Sequence, residues 1–230
     1  MNILALDTSG AWLGVALRQG DRAAFAIAEN NGLTHSDNLL PLLDSALTAQ
    51  GLPLAQVDLF AAVTGPGSFT GVRIGVETVR ALARTLDRPC IGINALEALA
   101  AGAMPFEGII CPMQDARAGQ VYAAAYQNGA RALPDAALAL TDFIASLPDA
   151  AGYCFVGDGA ERHRDALCEM LGARATFPPA DRMHIDPAVV AQLAEQYAAE
   201  AGSWQALLPY YLRAPQAERE RLAREAKAHG

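Results

Sequence analysis

The sequence predicts an α/β protein made of two related halves, each a mixed sheet flanked by helices, and three observations carry that prediction. The first is the apolar run Val57-Asp58-Leu59-Phe60-Ala61-Ala62-Val63, which leads into a glycine-rich turn from Thr64 to Gly71. Beyond the turn, apolar residues fall at Val72, Val76, Val79, Ala83 and Leu86. A short apolar run before glycines is a buried strand, and the later spacing is one face of a helix. The second is the opening segment: residues 2–7 form an apolar strand ending at Asp7, and Thr8-Ser9-Gly10 turns the chain. A strand from Trp12 to Leu17 follows, then a hairpin signal at Gly20-Asp21 and a returning strand from Ala23 to Ala28. The third is that this order recurs. Gly108 to Asp115 again runs apolar into an acid, Gln120 to Tyr126 is a strand, and Asn128-Gly129 marks a hairpin. Tyr153-Cys154-Phe155-Val156-Gly157-Asp158-Gly159-Ala160 then repeats the passage from strand into glycine turn.

Strands often end at Asp and helices often follow glycine, so the repetition leaves coincidence open beside internal duplication. The halves divide near Ala101 to Phe106, where Gly102 and Pro105 interrupt a helical pattern. That gives an N-terminal half at 1–103, a C-terminal half at 104–214 and a charged tail at 215–230. Prolines at 134, 148, 178, 179 and 187 break up the second half. Asp186-Pro187 is a helix start, and Val190, Leu193 and Tyr197 follow at helical spacing, which predicts a helix from Ala188 to Ala201. The tail alternates Glu and Arg, as a solvated helix or an unstructured end does.

Bulk properties narrow the function. Of 230 residues, 52% are hydrophobic and 18% charged, the balance of a globular chain with an ample core. The net charge is −8, and the 17 basic residues, among them the single lysine Lys227, are interspersed with acids. A chain that grips nucleic acid by itself shows a basic patch, so autonomous nucleic-acid binding is not expected. No stretch is long and apolar enough for a membrane span, and Met1 leads directly into a strand with no signal-peptide pattern. Cys90, Cys111, Cys154 and Cys168 are scattered without metal-ligand spacing and are expected to be reduced. These features together predict a cytoplasmic protein.

Strand, glycine turn and helix together aim backbone N–H groups and a helix N-terminus at an anion. Yet Gly65, Gly67 and Gly71 fit neither the P-loop, which needs a lysine, nor the dinucleotide spacing. Catalytic patterns are missing too. His35, His163, His184 and His229 never occur in a chelating i, i+4 pair, and Ser68 sits in no nucleophile elbow. Neither a catalytic nor a metal site is predicted. Ser68 and Thr70 are expected to cap the helix that follows, and His35 to sit in the first turn of another.

Two helices are the expected working surface. Thr34-His35-Ser36-Asp37 resembles a capping box and opens a segment carrying Leu39, Leu40, Leu42, Leu43, Ala46 and Leu47. This apolar stripe is wider than one buried face needs, and Pro41 implies a kink or a late start. Either the helix is wedged between the sheet and a neighbour, or part of its stripe is free for another chain. In the helix after the glycine turn, Gly71 and Gly75 share a side and would let another helix approach closely. Arg73, Glu77, Arg80 and Arg84 line another face and resemble the polar rim of an interface. The expected partner contacts are therefore Leu39, Leu43, Gly71, Arg73, Gly75, Glu77 and Arg80.

The run from Gly65 to Gly75 also closely resembles the signature of the TsaB (YeaZ) family. Ile3 to Ser9, Asp115 to Tyr122 and Pro209-Tyr210-Tyr211-Leu212-Arg213 resemble the same family in the same order, spanning roughly residues 1 to 213. The resemblance implies the duplicated, ribonuclease H-like superfold of actin, sugar kinases and chaperone ATPases. In that superfold the Asp turns of the two halves face each other across nucleotide phosphates. It points to Asp7, Thr8, Asp115, Gly157 and Gly159 as a vestigial or composite nucleotide site. It further implies a non-catalytic subunit that pairs with TsaD, joined by the ATPase TsaE, to place threonylcarbamoyl on the adenosine beside the anticodon of ANN-decoding tRNAs. ATP or ADP would then bind in the complex rather than to the isolated chain, tRNA would be met only through the complex, and the chain alone could pair with itself. The rival is an ATP-dependent small-molecule kinase or ATPase of the same superfold, with Asp7, Asp115 and both glycine turns on Mg–ATP.

Overall fold

In a computed structural model, which describes residues 1–30 and 34–213, β1 (Asn2–Asp7) is the centre of the first sheet. Every residue of it after Asn2 is buried, because layers cover both faces, which is why it reads as an unbroken apolar run. It pairs antiparallel with β2 (Leu13–Gln19), and β2 in turn with β3 (Arg22–Glu29). On its other side β1 runs parallel to β4 (Leu59–Gly65), and β4 to β5 (Cys90–Asn94), so the order is β3-β2-β1-β4-β5. Helix α1 (His35–Ala49) connects β3 to β4, α2 (Phe69–Leu86) connects β4 to β5, and α3 (Ala95–Gly102) follows.

The second half repeats this plan. Its strands are β6 (Ile109–Asp115), β7 (Gln120–Gln127), β8 (Ala130–Ala139), β9 (Tyr153–Val156) and β10 (Ala175–Thr176). Their order, β8-β7-β6-β9-β10, matches the first sheet strand for strand, with the same parallel and antiparallel neighbours. Helix α4 (Leu140–Ser146) takes the place of α1, α5 (Asp158–Arg162) with α6 (Arg164–Leu171) that of α2, and α7 (Pro187–Gln196) that of α3. Coincidence does not produce ten strands in this correspondence, so the repetition seen in the sequence is a duplicated fold. The tail at 215–230 lies outside the described residues.

Strand alternation separates three cores. Leu4, Leu6, Val15, Leu17, Phe60 and Ala62 face α1 and α2. Ile3, Ala5, Ala16, Leu59, Ala61 and Val63 face a central layer made of α3 and α7, which the second sheet closes with Ile110, Ala124, Tyr126 and Val156. A third core lies between the second sheet and α4, α5 and α6. The central layer is exchanged: α7 packs on β1 and β2 of the first sheet, while α3 packs against β6 of the second. The ion pair Arg18–Glu195, at 2.6 Å, ties β2 to α7.

Three local expectations are corrected. Thr34 stands at the N-cap of α1, but its hydroxyl donates to the Asp37 carboxylate at 2.5 Å and so caps no backbone N–H. Helix α2 begins at Phe69, before Val72, because the Ser68 hydroxyl accepts the Gly71 N–H at 3.3 Å. Helix α7 ends at Gln196 instead of Ala201. A 3₁₀ turn at Ala198–Glu200 follows, and the chain extends from Ala201, where Gly202 exchanges two backbone hydrogen bonds with Cys90 at the edge of the first sheet. From Gly202 to Arg213 the chain lies along the first half, with Leu207 buried in its core and the Tyr210 N–H donating to the Thr64 carbonyl at 2.8 Å.

Candidate functional site: the cleft between the halves

Because β1 and β6 are corresponding strands, both deliver an Asp to the floor of the cleft between the halves. Each makes the same turn: Asp7 Oδ1 accepts the Ser9 N–H at 2.8 Å, and Asp115 Oδ1 accepts the Arg117 N–H at 2.9 Å. The Ser68 N–H donates to the Ser9 carbonyl at 2.7 Å, which docks the glycine turn onto the first Asp turn. Asp158, at the start of α5, accepts the Asp115 N–H at 3.2 Å, and Arg162 pairs with Asp115 at 3.3 Å.

The cleft has two chambers that share Ser9, Gly10, Ala11, Gln114 and Asp158. The larger, about 500 Å³, lies at the N-terminus of α2 and is bounded by Ser68, Thr70, Asp115, Arg117, Tyr122 and Arg213. The smaller, about 380 Å³, is bounded by Asp7, Trp12, Gly157, Glu161 and His184. Trp12 and His184 stack at its edge with ring centres 4.1 Å apart. Arg213 spans the larger chamber, donating to the Ala116 carbonyl at 3.2 Å and so linking the C-terminal segment to the second half.

Asp7 is the most perturbed acid here. It is 3% exposed, and burial pushes its carboxyl from 3.8 up to about 6, against the opposing pull of the Ser9 N–H and the nearby His35 ring. His35, the first residue of α1, donates from Nε2 to the Gly10 carbonyl at 2.8 Å and thereby braces the same turn.

The other expected site residues divide. Thr8 is corrected: its hydroxyl donates to the Gly71 carbonyl at 2.6 Å and accepts the Gly75 N–H at 3.0 Å, so it is committed to α2 and borders neither chamber. Gly157 borders the smaller chamber, while a side chain on Gly159 would meet the Gln114 backbone carbon at 2.7 Å. Both glycines thus let α5 lie directly on β6.

The expected partner surface also needs correction. Leu39 and Leu43 are buried against the chain's own first sheet, and Leu40 is the leucine of α1 that faces outward, 59% exposed. Gly71 and Gly75 are buried against Thr8, not open to a second helix: a Cβ on Gly75 would stand 2.5 Å from the Thr8 hydroxyl, and one on Gly71 would collide with the Thr8 carbonyl. Arg73, Glu77 and Arg80 do lie on the outer side, but two of them already hold the C-terminal segment. Arg73 covers the Phe69 ring at 4.0 Å and donates to the Tyr211 hydroxyl at 3.1 Å, and Tyr211 stacks on Phe69. Arg80 donates to the Trp204 carbonyl at 3.2 Å and pairs with Glu77 at 2.7 Å.

Sequence reasoning missed the Trp12–His184 stack and the crossing by Arg213. No local pattern joins residues so far apart, although Pro209 to Arg213 had already stood out as a motif. Among the described residues, no group of three or more His, Cys, Asp or Glu side chains is placed to hold a metal ion, and no helix is long and apolar enough to cross a membrane.

Comparison with known proteins fits this geometry. The family model described as TsaD, tRNA N6-adenosine threonylcarbamoyltransferase, matches residues 29–220. The tRNA threonylcarbamoyladenosine biosynthesis protein TsaB of Bacillus subtilis is 34% identical over 223 residues, 95% of this chain and 96% of that one. Among solved structures, YeaZ from Pseudomonas aeruginosa superposes with a TM-score of 0.78 at 31% identity, covering 92% of this chain and 99% of that one. An inorganic polyphosphate/ATP-glucomannokinase from Arthrobacter, with a TM-score of 0.51 and 11% identity over 86% of this chain and 99% of that one, shares the fold alone. The fold is thus the actin-like one of the sugar kinases. Matched almost end to end by TsaB and YeaZ, the chain belongs to the TsaB (YeaZ) family.

Proposed function

We propose that this protein is a non-catalytic subunit of tRNA threonylcarbamoyladenosine synthesis, acting with a TsaD-type transferase in the cytoplasm. The observation that carries this reading is the near full-length relation to TsaB. In this reading the transferase supplies the chemistry, and this chain holds it in its active shape. A TsaE-type ATPase joins the assembly, tRNA is met only through the complex, and the chain pairs with itself when alone.

Nucleotide belongs to the assembled complex. The larger chamber has what a phosphate group needs, the N-terminus of α2 together with Arg117 and Arg213. The smaller chamber, where Asp7 and Glu161 join the shared Asp158 and no described Lys or Arg offsets them, repels one. The reading is tested by mixing the purified protein with TsaD and following the pair by size-exclusion chromatography. Co-elution as a defined complex is expected; separate elution at all concentrations would refute the assignment.

A further inference from the structure

We infer that the smaller chamber of the cleft binds an organic cation, an ammonium or guanidinium group on an apolar stem. Its charged lining is of one sign: Asp7, Asp158 and Glu161, with no Lys or Arg among the described residues that border it. Trp12, Leu99, Met183 and Ile185 supply an apolar wall suited to a carbon stem, and the Trp12 ring adds an aromatic surface of the kind that attracts cations.

An independent observation points to a hydrogen-bond donor. Gln114 lies on the wall that the two chambers share and is 6% exposed, and its side-chain oxygen accepts no hydrogen bond among the described residues. A buried acceptor left unpaired costs about 1–3 kcal/mol, and an N–H from a ligand removes that cost. Anions are disfavoured by the three carboxylates. A bare metal ion is disfavoured because those carboxylates are not gathered into a ligand set. An ammonium or guanidinium group is the chemistry that uses spread acceptors and an apolar wall together. It can arrive on a free amine or on a Lys or Arg side chain of another protein. The inference goes beyond the proposed function and does not require TsaD.

The test is calorimetric titration of the full-length protein with agmatine and with a blocked tripeptide, acetyl-Gly-Arg-Gly-amide. Saturable binding of either probe is expected, weakened about tenfold by Asp7→Asn and by Glu161→Gln, the loss of one charge-assisted contact. Tyr122→Phe, at a residue that borders only the other chamber, should leave binding unchanged. Tighter binding of the tripeptide supports capture of a partner's side chain, and tighter binding of agmatine supports a free amine. Glu161 is exposed, so its variant tests the charge without disturbing the buried floor of the cleft. Absence of saturable binding by both probes, or binding that Glu161→Gln leaves unchanged, would overturn the proposal.

Discussion

Asp7 carries an acid where the fold offers it almost no water, and this has a consequence for stability that can be measured. Its carboxyl titrates at about 6 in the fold against 3.8 ordinarily. Below 3.8 it is protonated in both the folded and unfolded chain. As pH rises from 3.8 to about 6 the unfolded chain releases the proton first, so this residue's contribution to stability falls and then levels off. The difference amounts to about 3 kcal/mol. Asp7→Asn keeps an oxygen for the Ser9 N–H and removes the titration. The variant should therefore melt higher than the wild type at pH 7, with the gap closing toward pH 4. An unchanged or lower melting temperature at pH 7 would show that the carboxylate is solvated or paired. Gly75 makes the opposite case. Periodicity places Gly71 and Gly75 on one side of α2, but nothing local says that the surface opposite is Thr8 of the same chain rather than another helix. Gly75→Leu is accordingly expected to lower the melting temperature by several degrees, since overpacking costs about 1–3 kcal/mol. A folded, equally stable variant that no longer pairs with TsaD would restore the glycine-seam reading.

At the scale of elements, what was legible in the sequence is what local physics dictates. The hairpins at Gly20-Asp21 and Asn128-Gly129, the two strands that end at Asp, and the long helix after the glycine turn all follow from turn chemistry and apolar spacing. The width of the α1 stripe was read correctly, but its division was not: Leu39, Leu43, Ala46 and Leu47 face the core and leave Leu40 outside. Which edge of a wide stripe turns inward depends on how the helix lies on its sheet, and the sequence does not encode that locally. On the outer face of α1, Leu40→Asp should leave folding intact, because exposed substitutions usually change stability by less than about 0.5 kcal/mol. It should also weaken co-elution with TsaD. Normal pairing by this variant would move the interface away from the outer face of α1. The end of α7 and the course of residues 202–213 were not legible for a similar reason. They are fixed by bonds to Cys90, Thr64 and Ala116, all far away in sequence.

For the whole molecule, duplication explains both the cleft and its asymmetry. Corresponding strands bring Asp7 and Asp115 to one floor, yet burial and the neighbouring helices make one chamber acid-lined and the other mixed. The exchange of α3 and α7, with the segment from Gly202 to Arg213 returning to the first sheet, binds the halves into one body. In the proposed function that body acts on its partner through its surface, and the chemistry stays with the transferase. The central claim is tested most directly by reconstituting threonylcarbamoyl transfer to an ANN-decoding tRNA from purified components, with and without this protein. Modified adenosine should form only when TsaD and this chain are both present, and neither should produce it alone. Full activity of the mixture lacking this chain, or transfer catalysed by this chain without TsaD, would contradict the account.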